Sequence, residues 1–408
     1  MLTTTATRIC RVAVDVLAVE RLFDYTVPGA LAEVVGVGTI VRVNLGGRRV
    51  RAWVVEDDVV SDAPPEKLRP LVAAVSAGPP PEVVDLTAWA AWRFAGPRLP
   101  LLRAASPPAV VPAGPPPETA GPKPSAEVGV GTNARDGAAE LADDAGRRPV
   151  AVVRWPPAAD PAELIAGLIA RTGSTIVIVP DGRLGSLAAR LRQTGAATVP
   201  WLTEGRPRDR ARAWDRGRRG GCVVLGGRSA VLAPVPDLGA IVILDDGAEA
   251  LKEERSPTWH ARDLAAERAR RAGARLTLVS PAPPLEAPGP LLTPARTAER
   301  AGWPITEVID RTKEPPGLGL FSPRAVAALR GGQRAICVLN RRGRARLLAC
   351  AACAELARCE RCEAAVAEAD RDPAGDGVSM LACARCGSAR PGCAPAAAAR
   401  SSKCCGPV

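Results

Sequence analysis

The sequence predicts an α/β chain in three parts: a β-rich N-terminal unit, a parallel-sheet unit, and a C-terminal module of paired cysteines. Three observations carry that reading. Short Val-rich runs cut by Gly and Pro fill the first 112 residues. Continuous apolar runs alternate with helical periodicity from residue 149 onward. Nine of the 12 cysteines lie beyond residue 349.

Length and composition bound what the parts can be. A chain of 408 residues, 47% of them hydrophobic, is long enough for two or three domains with their own cores. The net charge of +11 favours a polyanionic partner over an acidic small substrate. Arginine supplies nearly all of that charge, and the excess of Ala, Pro, Gly and Arg also fits the codon bias of a GC-rich genome. No apolar run approaches the roughly 18 residues of a membrane span. The start, MLTTTATRICRVAVDVL, lacks a basic segment followed by an apolar one, so the expected location is the cytoplasm.

Residues 1–112 contain strand-like runs at 11–16, 39–45 and 48–56, separated by turn residues. Residues 113–148 are rich in Pro, Gly, Ala and small polar residues, and read as a flexible linker without a periodic apolar face. Apolar runs at 149–155, 174–181, 222–227, 239–246 and 275–280 alternate with helical stretches such as PAELIAGLIARTG and PTWHARDLAAERARRAG. Buried strands alternating with helices imply a parallel sheet over 149–288. Residues 289–349 add one more strand-like run, RAICVLN at 334–340.

Cys10, Cys222 and Cys337 stand alone in apolar runs and read as core thiols. Cys350-x-x-Cys353, Cys359-x-x-Cys362 and Cys383-x-x-Cys386, with Cys393, have metal-ligand spacing. A C-x-x-C turn aims two thiolates at one centre, and two turns complete a tetrahedron, so residues 350–408 read as a zinc module. A redox pair is the rival for one C-x-x-C, but three in succession favour metal.

Several segments together resemble the bacterial replication restart protein PriA family, also called primosomal protein N′. LNRRGRARLLACAACAELARCERC (339–362) is similar to the family's LNRRG segment leading into its zinc motif. GGRSAVLAPVPDLGAIVILDD (226–246) resembles GTRSA followed by the strand ending in DEEH; WHARDLAAERA (259–269) and LFDYTVP (22–28) also match. The resemblance implies a 3′-end DNA-binding domain at 1–112, a superfamily-2 helicase-like lobe at 149–288, the start of a second lobe at 289–349, and a zinc module. It implies DNA at forks, 3′ ends and single strands as ligand, with other primosome proteins and the replicative helicase as partners.

The resemblance also assigns residues. Phe23, Asp24 and Tyr25 stand at the element lining a pocket for the terminal 3′ nucleotide, Gly46 at a P-F-G turn, and Arg69 at a lysine. Phe23 and Tyr25 equally suit strand packing, and Arg42, Arg48, Arg49 and Arg51 suit either phosphate contact or a solvated hairpin face. The inner zinc site should use Cys359, Cys362, Cys383 and Cys386; the outer one Cys350, Cys353, Cys393 and an unidentified fourth ligand. The phosphate-binding loop is replaced by PPAADP (156–161), which has no Lys or Gly and three prolines. DEEH becomes Asp245-Asp246-Gly247-Ala248 and GSATP becomes VSPAP. Asp245 and Asp246 therefore mark a degenerate nucleotide site, and the chain reads as a non-hydrolysing member lacking later helicase motifs. The alternatives are an ATP-dependent 3′→5′ DNA helicase or a truncated, non-functional product. His260, the single histidine, reads as a structural residue at a helix start, and 206–220 as a solvated Arg-rich helix.

Overall fold

The computed structural model describes residues 8–114, 137–170, 172–180, 183–201, 204–311, 321–332, 334–338, 356–368 and 380–391. The chain divides into two units, Met1–Pro304 and Ile305–Val408.

The first unit opens with a six-stranded sheet built from β1 (Ile9–Val14), β2 (Phe23–Thr26), β3 (Ile40–Leu45), β4 (Arg48–Asp57), β5 (Arg69–Pro70) and β6 (Ala73–Ser76). Their order is β5-β2-β1-β4-β3-β6, with only β2 and β5 parallel. Val12, Val14, Tyr25, Val41, Val43, Ala52 and Val54 fill one core of this sheet. Helices α1 (Pro81–Arg93) and α2 (Leu99–Ala105) pack by Val84 and Leu102 against Ile40, Trp53 and Val55.

A helix α3 (Ala138–Gly146) leads into the second sheet. It corrects the linker expected over 113–148, of which 115–136 lie outside the described residues. Ala138, Leu141, Ala142 and Ala145 are buried at i, i+3, i+4, i+7 spacing. Alanine is small enough to resemble linker composition, yet it lets helices approach closely. A Cβ on Gly167 would sit 2.7 Å from the Ala142 methyl.

The second sheet has seven strands, all paired in parallel: β7 (Val150–Arg154), β8 (Ser174–Ile178), β9 (Thr198–Trp201), β10 (Val223–Gly226), β11 (Leu238–Leu244), β12 (Arg275–Ser280) and β13 (Leu291–Leu292). Their order is β13-β7-β12-β11-β8-β10-β9. Helices α4 (Pro161–Ile169), α5 (Leu184–Gln193), α6 (Pro207–Gly217) and α7 (Ala261–Ala272) cross between strands, as burial on both faces requires. After β13, α8 (Arg296–Ala301) returns to the sheet through an Arg154–Glu299 ion pair of 2.6 Å. Residues 289–304 thus complete the parallel sheet's unit, where the sequence had suggested the start of another lobe.

The N-terminal helices share one apolar core with the second sheet. Val83, Leu86, Ala90, Leu101 and Ala105 of the N-terminal helices pack in the same cluster as Trp214, Val231, Leu264 and Leu276. Trp214 donates its indole N–H to the Ala105 carbonyl at 2.8 Å, and Arg218 donates to the Gly114 and Pro112 carbonyls. The buried Arg268 caps the carbonyls of Val231 and Ala233, and burial lowers its pKa to about 10.

In the second unit, α9 (Pro323–Arg330) is capped by Ser322, whose hydroxyl accepts from the Ala325 N–H. Residues 334–338 form no strand and are exposed, Cys337 included. This corrects the core thiol expected at Cys337 and the strand expected at 334–340 as far as residue 338; 339 and 340 lie outside the described residues. Cys10 and Cys222 are buried, and burial raises the Cys10 thiol to about 12. A small antiparallel sheet of β14 (Ala367–Glu368), β15 (Met380–Ala382) and β16 (Ala389–Pro391) frames the cysteines. Among the described residues, no helix is long and apolar enough to cross a membrane.

Candidate nucleic-acid interface and metal centre

Strand alternation separates the residues expected in one pocket. Successive side chains in β2 point to opposite faces. Phe23 and Tyr25 pack toward the sheet's core, with Tyr25 only 4% exposed. Its hydroxyl donates to the Asn44 carbonyl at 2.8 Å, so Tyr25 braces the β3–β4 turn and its ring is not available to stack a base. Phe23 is half-buried beneath the Arg21 guanidinium, 4.5 Å from the ring centre.

Asp24 faces the other way. It receives the Arg11 Nε at 2.8 Å and the Ser61 hydroxyl at 2.7 Å, while Arg11 also reaches Glu56 at 2.9 Å. The Arg11 hydrogen bond holds the Asp24 carboxyl below its ordinary range.

Gly46 and Gly47 form the β3–β4 turn with φ of 55° and 77°, the left-handed pair that a tight hairpin requires. A Cβ at either would meet nothing within 4 Å, so the turn is open to solvent. Arg48 and Arg49 flank it, and Arg69 pairs in register with Tyr25 at the sheet edge. All three arginines are exposed, with no side-chain partner among the described residues. Arg42 is exposed too, whereas Arg51 lies over the Trp53 ring at 4.9 Å and burial lowers its pKa.

A cleft of roughly 350 Å³ opens at the C-terminal ends of β7, β11 and β12, where open α/β sheets bind ligands. Its charged groups are paired. Asp160 caps α4, accepting from the Ala162 N–H at 3.1 Å, and its other oxygen meets Arg190 at 2.7 Å. Asp245 meets Arg183 at 2.9 Å. Pro156, Pro157 and Pro161 line the wall. Asp246 is absent from that lining; it is fully buried against Arg262 at 3.2 Å, with its Oδ1 unpartnered. Burial raises its carboxyl above the usual value. His260 caps α7 as the sequence suggested, its Nδ1 accepting from the Arg262 N–H at 3.1 Å.

The Arg-rich helix α6 is largely self-satisfied. Asp215 pairs with Arg218 and Arg219, and Asp209 with Arg212.

Cys359, Cys362, Cys383 and Cys386 converge, their sulfurs all within 4.8 Å of one another, and these four could hold a metal ion. Cys359 lies 3.6 Å from Cys386, and Cys362 lies 3.5 Å from Cys383. The Ser388 hydroxyl, then the Arg361 N–H, lower the Cys359 thiol to about 6. Cys350, Cys353 and Cys393 lie outside the described residues.

Residues 11–107 match the PriA 3′DNA-binding domain (3′BD) family, spanning the N-terminal sheet with α1 and α2. Over 329 residues the chain is 33% identical to the probable replication restart protein PriA of Mycobacterium tuberculosis, covering 76% of this chain and 47% of that relative. The chain is PriA-like. It is also 33% identical over 172 residues to the probable PriA of Deinococcus radiodurans, covering 39% of this chain and 18% of the relative. The PriA of Rickettsia prowazekii is 33% identical over 142 residues, 32% of this chain and 22% of its own length. This PriA-like chain spans about half the length of the mycobacterial relative.

Several residues at these sites were missed in the sequence. Arg11 and Ser61 carry no motif, because their positions follow from cross-strand register and a loop return. Asp160 was legible: an Asp before Pro161, with Glu163 in the first turn, is an N-cap signature. Ser388, two residues past Cys386, had only proximity to recommend it.

Proposed function

We propose that this chain is a replication restart protein of the PriA kind that binds DNA ends and forks without ATP-driven translocation. The observation that carries the reading is the extent of the 3′DNA-binding match, which runs from within β1 through the rest of the N-terminal sheet to the residues beyond α2. In this reading the exposed Gly46–Gly47 turn offers backbone N–H groups to phosphate, with Arg48, Arg49 and Arg69 supplying charge. Asp24, kept ionised by Arg11, is the acceptor for a terminal ribose hydroxyl. Other primosome proteins and the replicative helicase are the partners this role implies.

The cleft supports the non-hydrolysing half of the proposal. A helix N-terminus following the first strand would favour a phosphate, but the Asp160 carboxylate occupies the start of α4 and Arg190 neutralises it. Pro161 removes one further backbone donor there. Asp245, the remaining acid facing the cleft, is engaged by Arg183.

The metal in this reading is zinc. Four thiolates at about 2.3 Å from one ion stand about 3.8 Å apart, and the sulfur pairs at 3.5 and 3.6 Å fall just short of that spacing. Zinc bound by Cys359, Cys362, Cys383 and Cys386 would cross-link two turns whose shared core is little more than Val366 and Leu381. The outer set of Cys350, Cys353 and Cys393 would hold a second ion more weakly. Metal analysis should give between one and two zinc per chain.

DNA binding tests the function directly. The full chain should prefer a recessed 3′-hydroxyl over a 3′-phosphate. Asp24→Ala should erase that preference while leaving bulk, salt-dependent affinity nearly intact, and Arg69→Ala should weaken binding to both ends alike. Equal affinity of the parent chain for both ends would leave only a basic surface.

A further inference from the structure

We propose that Ser388 is a positioning residue of the four-cysteine site, its hydroxyl joining one sulfur from each C-x-x-C turn. The proposal rests on the metal reading above and adds a determinant of how firmly the ion is held. The Ser388 Oγ lies 3.0 Å from the Cys359 sulfur and 3.1 Å from the Cys386 sulfur. Its carbonyl accepts the Cys383 N–H at 2.9 Å. One residue therefore touches three of the four cysteines, from both turns.

The backbone is shaped to bring it there. Gly387, at φ +73°, turns the chain back after Cys386 and donates to the Cys383 carbonyl at 3.0 Å. The mirror turn is closed by the same backbone bonds: Glu363, at φ +59°, donates to the Cys359 carbonyl at 2.8 Å, and Cys359 donates to the Ala364 carbonyl at 2.8 Å. Alanine stands there in the place of Ser388, and among the described residues no hydroxyl joins the Cys362–Cys383 pair.

The chemistry follows from charge. Four thiolates around a divalent ion carry a net charge of −2, and each O–H or N–H donor to sulfur lowers the cost of gathering them. The hydroxyl also fixes the Cys359–Cys386 edge, which apolar packing cannot do in a module with so small a core. Ser388 is half-buried, so a threonine retains the hydroxyl and has room for its methyl group.

The test uses the full chain purified with zinc under reducing conditions. Release is followed with a chromogenic chelator such as 4-(2-pyridylazo)resorcinol. Ser388→Ala should release zinc roughly ten-fold faster, the low end of the loss expected when a group supporting a metal ligand is removed. Ser388→Thr should return close to the parent rate. The cobalt-substituted protein gives a second readout: the thiolate-to-metal charge-transfer band should shift in Ser388→Ala and recover in Ser388→Thr. An alanine variant with the parent release rate and an unchanged cobalt band would overturn the role of Ser388. A parent chain that takes up neither zinc nor cobalt would overturn the metal reading itself, and this inference with it.

Discussion

The cleft at the edge of the parallel sheet and the β3–β4 turn of the N-terminal sheet are both places where a phosphate could meet this fold, and they are built in opposite ways. In the cleft, Asp160 and Asp245 are taken by Arg190 and Arg183, and prolines replace backbone donors. At the turn, two glycines leave the backbone bare, and Arg48, Arg49 and Arg69 are exposed without partners among the described residues. An arginine already neutralised by a carboxylate, as Arg183 and Arg190 are, has little left to offer a phosphate. Availability of positive charge, more than its count, separates a candidate phosphate interface from a structural clasp.

The strongest way to perturb both regions together is at the seam between them. Trp214 is 1% exposed and links α6 to α2 through its indole N–H. Trp214→Ala should cost about 3–5 kcal/mol, read as a fall in denaturation midpoint. Because the N-terminal helices share that core, end-specific DNA binding should weaken in the same variant. Two separate transitions, only one of them shifted, together with unchanged DNA binding, would mean that the two sheets are independent.

Asp160→Ala sharpens the contrast at the cleft. Loss of the α4 cap should cost about 1 kcal/mol. The variant should still show no ATP-dependent rise in thermal stability, since the proline wall remains. A smaller effect concerns acid. Glu267, hydrogen-bonded by Arg270 and then Arg271, has its carboxyl lowered from about 4.5 to about 2. A depressed carboxylate contributes stability that is complete above its unfolded value and is lost as pH falls toward the folded one. The Glu267→Gln variant and the parent should therefore converge in stability between about pH 4.5 and 2. The difference at neutral pH should be small, because solvent screens this pair.

Much of this was legible beforehand, for identifiable reasons. Strands β8 and β11 sit in the middle of the sheet, buried on both faces, so continuous hydrophobicity announced them. Metal ligation by the paired cysteines was legible from spacing, because a C-x-x-C turn fixes two sulfurs locally, and the choice of the inner four followed from the family resemblance. Helix α3 was not, since its buried face is mostly alanine. The run at 334–338 has strand-like residues, but among the described residues nothing pairs with it. The triplet at 23–25 looked like one site because it is contiguous, whereas a strand sends its middle residue to the opposite face.

The central claim is that this chain binds DNA without spending ATP. The most direct measurement is ATP hydrolysis by the full chain at saturating fork DNA, with DNA binding recorded in the same samples. The account predicts bound fork and no turnover above the protein-free blank. Saturable hydrolysis that disappears in Asp245→Ala would contradict it, and would make the cleft a working nucleotide site.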